Sequence, residues 1–172
     1  MHWILLILTA LLVNCSGKKK PATVKGGDWS NNHSVSYQSE VNTREQLKIG
    51  VYLAHHKELS MSMTSTGLRY QIIKNNPKGK LGEPGKVALA TLKIELLDGT
   101  ICYETDPEFL EEIPIDHNDR ESGLNEALKL MRVGEKAKMV LPSHLAHGLV
   151  GDLQKIPPLS ILIIDVELIN LE

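Results

Sequence analysis

Aromatic residues are scarce in this chain of 172 residues: they make up 4% of it, with a single phenylalanine at Phe109. Any pocket that depends on aromatic walls therefore has few rings to draw on. Neither sign of charge dominates, since the chain has 19 basic and 21 acidic residues, and nothing in this balance indicates nucleic-acid binding, which needs a basic face. Only Cys15 and Cys102 could form a disulfide, and no apolar run reaches the roughly 20 residues of a membrane-spanning helix.

The N-terminus is typical of an export signal. Residues 3–13 are apolar except for Thr9. This run has the length of the apolar core of a secretory signal. Leu12-Val13-Asn14-Cys15 follows and resembles the bacterial lipobox, which is cleaved before a cysteine that is then lipidated. We therefore predict a signal peptide over residues 1–14 and a lipidated Cys15 that anchors the chain to a membrane of the bacterial cell envelope, facing the periplasm.

Two departures keep an alternative open for this segment. Asn14 is larger than the residue that usually precedes a lipobox cysteine, and no Lys or Arg precedes the apolar run. An ordinary signal peptide cleaved elsewhere, or an uncleaved anchor, is the other interpretation.

Residues 15–65 divide into two parts. Residues 15–42 are rich in Lys, Gly, Ser, Asn and Thr, a composition that predicts a flexible tether. Residues 43–65 predict a helix and a connector: Thr43 can cap the helix, and Leu47, Val51 and Ala54 recur at helical spacing. We expect this helix to end between residues 56 and 59.

Residues 66–172 predict an α+β domain. Alternating apolar residues indicate strands over 68–73, 87–97, 137–141 and 161–168, and Asp98-Gly99 is a strong hairpin turn. Between the strands, Ser122 can cap a helix that carries an apolar stripe of Leu124, Leu128 and Met131. We therefore predict an antiparallel sheet with one main helix across its inner face.

Four sequence blocks carry a family resemblance. They are Val133-Gly134-Glu135-Lys136, Leu145-Ala146-His147-Gly148, Ile156-Pro157-Pro158 and Ile164-Asp165-Val166-Glu167-Leu168. In this order and spacing they closely resemble the second half of an FKBP-type peptidyl-prolyl cis-trans isomerase. The resemblance extends from about Gly67 to Glu172 and implies an FKBP-like sheet wrapped on one main helix, with an extra N-terminal helix. With this domain, the extra helix and the lipobox-like segment, the chain resembles the gliding-motility-associated lipoproteins of that family.

The resemblance also implies a reaction. A prolyl peptide bond must rotate over a barrier of about 18–20 kcal/mol set by amide resonance. A dry pocket that fits the twisted amide lowers this barrier without a nucleophile, a metal or a cofactor. The residues implied for the pocket are Cys102, Tyr103, Leu124, His147, Ile156 and Ile164.

These positions depart from the family pattern. Ile156 matches it, and Leu124 and Ile164 keep an apolar side chain without a ring. Cys102, Tyr103 and His147 stand where the family has Phe, Asp and Tyr. Upstream of Leu124, Arg120 and Glu121 replace two apolar residues.

Two functions follow from the resemblance. The first is a prolyl isomerase, of full or reduced activity, that assists the folding of exported or envelope proteins and has proline-containing polypeptides as clients. The second is an FKBP-fold peptide-binding chaperone or assembly module with little isomerase activity. A metal site at His144 and His147 is disfavoured because no third ligand lies at suitable spacing, and the sequence favours no particular oligomeric state.

Overall fold

The computed structural model describes residues 31–106, 108–117 and 120–172. Two helices, seven strands and one 3₁₀ turn are described within these ranges. The helices are α1 (Asn31–His55) and α2 (Ser122–Leu128), and the 3₁₀ turn is Ser143–Leu145. The strands are β1 (Ser62–Met63), β2 (Arg69–Lys74), β3 (Val87–Leu96), β4 (Ile101–Glu104), β5 (Glu111–Pro114), β6 (Lys136–Leu141) and β7 (Leu162–Leu171).

All strand pairs in the sheet are antiparallel. The order is β1-β2-β6-β7-β3-β4, and β5 also pairs with β3. In the central pair, Ile94 of β3 lies opposite Ile164 of β7, and Leu92 lies opposite Val166. Because paired residues project from the same face, these side chains meet in one core. This arrangement confirms the predicted α+β fold.

Helix α2 packs on the inner face of the sheet. Leu124 and Leu128 of α2 are fully buried, in one cluster with Met139 and Leu162 of the central strands. Burial of each such side chain stabilises the fold by about 1.5–3 kcal/mol. Leu124 and Leu128 of the predicted stripe therefore form the core-facing side of the helix. Met131 is buried but lies beyond the end of the helix, and the cap position is Glu121, not Ser122, so those two parts of the prediction are wrong.

Helix α1 begins at Asn31, earlier than expected. Residues 31–42, predicted as part of the tether, are helical, and that part of the prediction is wrong. Thr43 lies inside the helix, where its hydroxyl donates to the Ser39 carbonyl at 2.9 Å instead of capping the first turn. The predicted signal peptide and residues 15–30 of the tether lie outside the described residues.

The buried face of α1 also differs from the prediction. Leu47 and Val51 are 66% and 54% exposed, whereas Val41, Glu45 and Ile49 are buried. Ile49 packs against Val140 of β6 and Ile163 of β7, on the sheet face away from α2. The docking face contains a carboxylate, and for that reason a search for apolar periodicity selects another side of the helix. No helix in the described part of the chain is long and apolar enough to cross a membrane.

Candidate active site

A cleft of about 640 Å³ opens beside the inner core, next to the start of α2. Strands β3 and β4, the segment before α2 and the loop after the 3₁₀ turn all contribute to it. Its lining residues are Ile94, Tyr103, Glu111, Arg120, Glu121, Ala146, His147, Asp152 and Gln154. Most of these side chains are polar or charged.

The six residues implied by the family resemblance separate into two groups. Tyr103 and His147 line the cleft. The other four are at most 2% exposed and belong to the inner core: Cys102, Leu124, Ile156 and Ile164. The apolar part of the cleft lining is Ala146 together with Ile94; Ile94 is 2% exposed, is the cross-strand partner of Ile164 and belongs to the same core.

An ion-pair network occupies one side of the cleft. Arg120 donates from Nη1 to Glu111 Oε2 at 2.8 Å and from Nε to Glu121 Oε2 at 3.3 Å. The other oxygen of Glu121 lies 3.0 Å from His147 Nε2. The Glu121 side chain is only 5% exposed, whereas those of Arg120 and His147 are 28% and 29% exposed. Glu121 is thus a buried carboxylate held between two partly exposed bases.

The chain around the network explains its position. Glu121 immediately precedes α2, with extended backbone angles, and its side chain makes no capping bond to the helix. Its carboxylate is therefore available to Arg120 and His147. Glu111 lies at the start of β5 and also accepts a 2.8 Å bond from the Thr105 hydroxyl, so its position is set from two sides.

A second polar pair lies across the cleft. The Tyr103 hydroxyl donates to Asp152 Oδ2, and Asp152 Oδ1 accepts the backbone N–H groups of Gln154 at 2.9 Å and Ile156 at 2.7 Å. Burial raises the pKa of the Asp152 carboxyl, but these hydrogen bonds outweigh it and lower the pKa to about 2. The bond to Asp152 raises the pKa of Tyr103. At neutral pH the pair is therefore a carboxylate and a neutral phenol.

Glycine makes the Asp152 turn possible. Gly151 has a φ of 72°, and a Cβ there would lie 2.2 Å from the Ile156 carbonyl oxygen. A side chain at this position is excluded by both the backbone conformation and the close approach. The turn therefore brings the Asp152 carboxylate back to Tyr103.

Sequence reasoning missed Asp152, Gln154, Glu111 and Ile94 as site residues. It noted Arg120 and Glu121 only as departures from the family pattern. A short Gly-Asp turn gives no periodic signal. The signal that could have pointed to Asp152 is the tendency of an Asp side chain to accept backbone N–H groups of its own turn.

The arrangement limits what the cleft can do chemically. His147 and Tyr103, which could donate to a substrate carbonyl, each already contact a carboxylate. A substrate must compete with those bonds, and the charged wall keeps the local dielectric high. The Cys102 thiol is buried beside the cleft, and burial raises its pKa, which makes a reactive thiolate unfavourable.

The described residues contain no group of three side chains suited to a metal ion. His144, which sequence spacing places near His147, bonds through Nε2 to the Thr66 carbonyl at 3.0 Å. The two histidine rings are therefore engaged by different partners.

Comparison with known proteins identifies the family of the chain. Residues 79–169 match the family model of the FKBP-type peptidyl-prolyl cis-trans isomerases. The isomerase FkpA of Escherichia coli (strain K12) is 33% identical over 118 residues, which are 67% of this chain and 42% of FkpA. The chain thus spans less than half the length of that relative. The isomerase FKBP15-3 of Arabidopsis thaliana is 33% identical over 103 residues, 59% of this chain and 71% of the relative.

Solved structures agree with the family match. The crystal structure of FkpA from Escherichia coli superposes with a TM-score of 0.65 at 27% identity and covers 82% of this chain and 67% of that one. A peptidyl-prolyl cis-trans isomerase from Pseudomonas syringae has a TM-score of 0.64 at 21% identity, covering 78% of this chain and 95% of that chain; this shows the fold alone. The chain therefore belongs to the FKBP-type peptidyl-prolyl cis-trans isomerase family.

Proposed function

We propose that this protein is a peptidyl-prolyl cis-trans isomerase of reduced activity that acts on proline-containing segments of exported or envelope proteins. The supporting observation is the cleft in a chain of this family, with Ile94 as an apolar wall and Tyr103 and His147 at its edge. A proline ring against Ile94 would meet the inner core, which excludes water. Slow isomerisation of proline bonds limits the folding of many chains, so proteins arriving unfolded in the envelope are suitable clients.

The expectation of reduced activity comes from the ion-pair network. Catalysis of amide rotation relies on moving the amide into a less polar environment and fitting its twisted form. Arg120, Glu121 and Glu111 surround the cleft with charge where the family pattern has apolar side chains at the first two positions. Each 1.36 kcal/mol of lost transition-state stabilisation lowers the rate about tenfold.

Membrane anchoring is part of the same proposal. The lipobox-like Leu12-Val13-Asn14-Cys15 supports a lipoprotein held at the envelope, as in the gliding-motility-associated subgroup that the chain resembles. Such a tether would keep the domain near clients as they emerge at the membrane.

The test is direct catalysis by the whole chain. Exchange NMR would measure cis-trans interconversion of a short X-Pro peptide with and without protein. We expect faster interconversion with the wild type and loss of the acceleration in Ala146→Trp, which fills the cleft. The control is Ile73→Trp on the opposite sheet face, where Ile73 is 58% exposed; it should keep the activity. Equal activity in both variants would place catalysis elsewhere.

The polar cleft favours a second function. An FKBP-fold chaperone or assembly module would bind extended peptide in the cleft without accelerating rotation, and charged walls suit hydrogen bonding better than desolvation. The same NMR titration decides between the two. Shifts of the Ala146 and His147 amides on adding peptide, with interconversion at the uncatalysed rate, would support the module.

A further inference from the structure

Glu45 is an unexpected residue on the buried face of α1. It is 4% exposed and sits between Val41 and Ile49, one helical turn from each. It also lies outside residues 79–169, the part of the chain that matches the family model. Burying a carboxylate is costly unless it makes a strong bond, so its partner is informative.

That partner is the backbone of the 3₁₀ turn. Glu45 Oε2 accepts the Ser143 N–H at 2.9 Å in a buried environment. The first N–H groups of a helical turn have no partner within the turn, and Pro142, which precedes it, makes no side-chain cap. The carboxylate of α1 therefore supplies the cap from another element, as a charge-assisted hydrogen bond.

Ser143 also fixes the backbone on both sides of His147. Its carbonyl accepts the Ala146 N–H at 3.0 Å and the Gly148 N–H at 2.8 Å. These two amides flank His147, whose ring bonds Glu121 in the cleft. The backbone of one residue, Ser143, is thus fixed by α1 through its N–H and fixes both sides of His147 through its C=O.

Packing alone does not explain a carboxylate here. Glu45 Oε1 is buried and has no hydrogen-bond partner among the described residues. Arg69 Nη1 is in the same condition, and Arg69 is the ladder partner of Val140, which packs with Ile49. An apolar side chain would avoid leaving Oε1 without a partner, a costly arrangement. The Ser143 N–H is the group that requires an acceptor at this position.

We propose that Glu45 is a positioning residue for the cleft: through Ser143 it holds the turn that presents His147, so that α1 is a working part of the site. The effect on the turn stands on the geometry alone, whereas the effect on turnover rests on the proposed function. Any event that lifts α1 from the sheet would then release His147.

The test uses hydrogen exchange of the whole chain at single-residue resolution. Glu45→Leu removes the acceptor but keeps a side chain of similar size, whereas Glu45→Gln keeps an uncharged acceptor oxygen. We expect exchange of the Ser143, Ala146 and Gly148 amides to rise about tenfold in the leucine variant and to return most of the way in the glutamine variant. Ile49→Ala is the matched control, because it weakens α1 docking without touching this bond; its effect should be spread over α1.

Two results would overturn the proposal. One is a similar, unselective rise of exchange in Glu45→Leu and Ile49→Ala; the other is a glutamine variant no better than leucine. If the leucine variant does not fold, native-state exchange of the wild type in low urea decides instead. The three amides must then open together with residues 45–49, and independent opening would refute the coupling.

Turnover separates this proposal from the proposed function. Where the wild type accelerates prolyl isomerisation, Glu45→Leu should raise KM more than it lowers kcat, with recovery in Glu45→Gln. A wild type without activity would refute the isomerase, while the exchange experiment would still decide the role of Glu45.

Discussion

Because Glu121 is buried, we predict that removing its partner Arg120 strongly lowers the free energy of unfolding. Arg120→Leu leaves the Glu121 carboxylate, whose side chain is 5% exposed, with His147 as its remaining partner. Removing one member of a fully buried pair costs about 3–5 kcal/mol, and the contact that remains reduces this to about 2–3 kcal/mol.

The reverse substitution should cost much less. Glu121→Ile removes the buried charge, and Arg120 keeps its 2.8 Å bond to Glu111 while 28% of its side chain is in contact with water. We expect a loss of at most about 1 kcal/mol, the range of an exposed pair. The double variant should resemble Glu121→Ile, because the carboxylate that then loses Arg120 is that of Glu111, which is 33% exposed and keeps its 2.8 Å bond from the Thr105 hydroxyl.

Urea unfolding of the three variants measures these differences. With an unchanged slope, the midpoint reports the free energy of unfolding directly. The control is Lys138→Thr with Asp165→Thr, which removes a 2.6 Å pair on the sheet away from the cleft; single and double losses there should be small and nearly symmetric. Equal losses for Arg120→Leu and Glu121→Ile would refute the idea that Glu121 is the desolvated member.

Three further predictions concern the turn, the core and the anchor. The pKa of Asp152, about 2 against an ordinary value of 3.8, contributes stability that is present above pH 4 and is lost as the pH falls toward 2. Urea midpoints should therefore show a flatter decline over that range in Asp152→Asn, and an unchanged decline would contradict the assigned pKa. Leu124→Trp, which restores the family's ring, should destabilise by about 1–3 kcal/mol because the position is fully buried; unchanged stability with raised activity would show open space there. Cys15→Ala should release the protein from membranes in a fractionation experiment, and mass spectrometry that finds an unmodified Cys15 in the mature wild type would exclude the lipoprotein.

The sheet and α2 were predictable because each local signal agrees with the global fold. Strand β3 alternates buried and partly buried residues along its length, and Leu124 and Leu128 keep one face of α2 apolar. Such periods reflect burial directly. The Asp98-Gly99 turn likewise has a mechanism, since Gly99 adopts a φ of 87°.

The predicted buried face of helix α1 was wrong for a physical reason. The docking face of the helix carries Glu45, whereas Leu47 and Val51 are exposed. Periodicity assumes that apolar residues face the core, and that assumption breaks where a buried carboxylate makes a specific bond. The correct face is identified by tertiary contacts, of Glu45 with Ser143 and of Ile49 with Val140.

The family resemblance named two of the residues that line the cleft but not its charged character. These two residues are Tyr103 and His147. Leu124 and Ile164 are fully buried in the core and do not line the cleft. The charged lining arises from partners far apart in sequence, such as Glu121 with His147, and pairings of this kind have no signature in spacing.

The most direct test of the central claim is the isomerisation rate of Arg120→Leu with Glu121→Ile. If charge in the cleft limits an otherwise intact FKBP-type catalyst, this double variant should raise kcat/KM for an X-Pro peptide about tenfold, equivalent to about 1.4 kcal/mol, while the Lys138→Thr, Asp165→Thr control stays at the wild-type value. A folded double variant with an unchanged or lower kcat/KM would contradict the account.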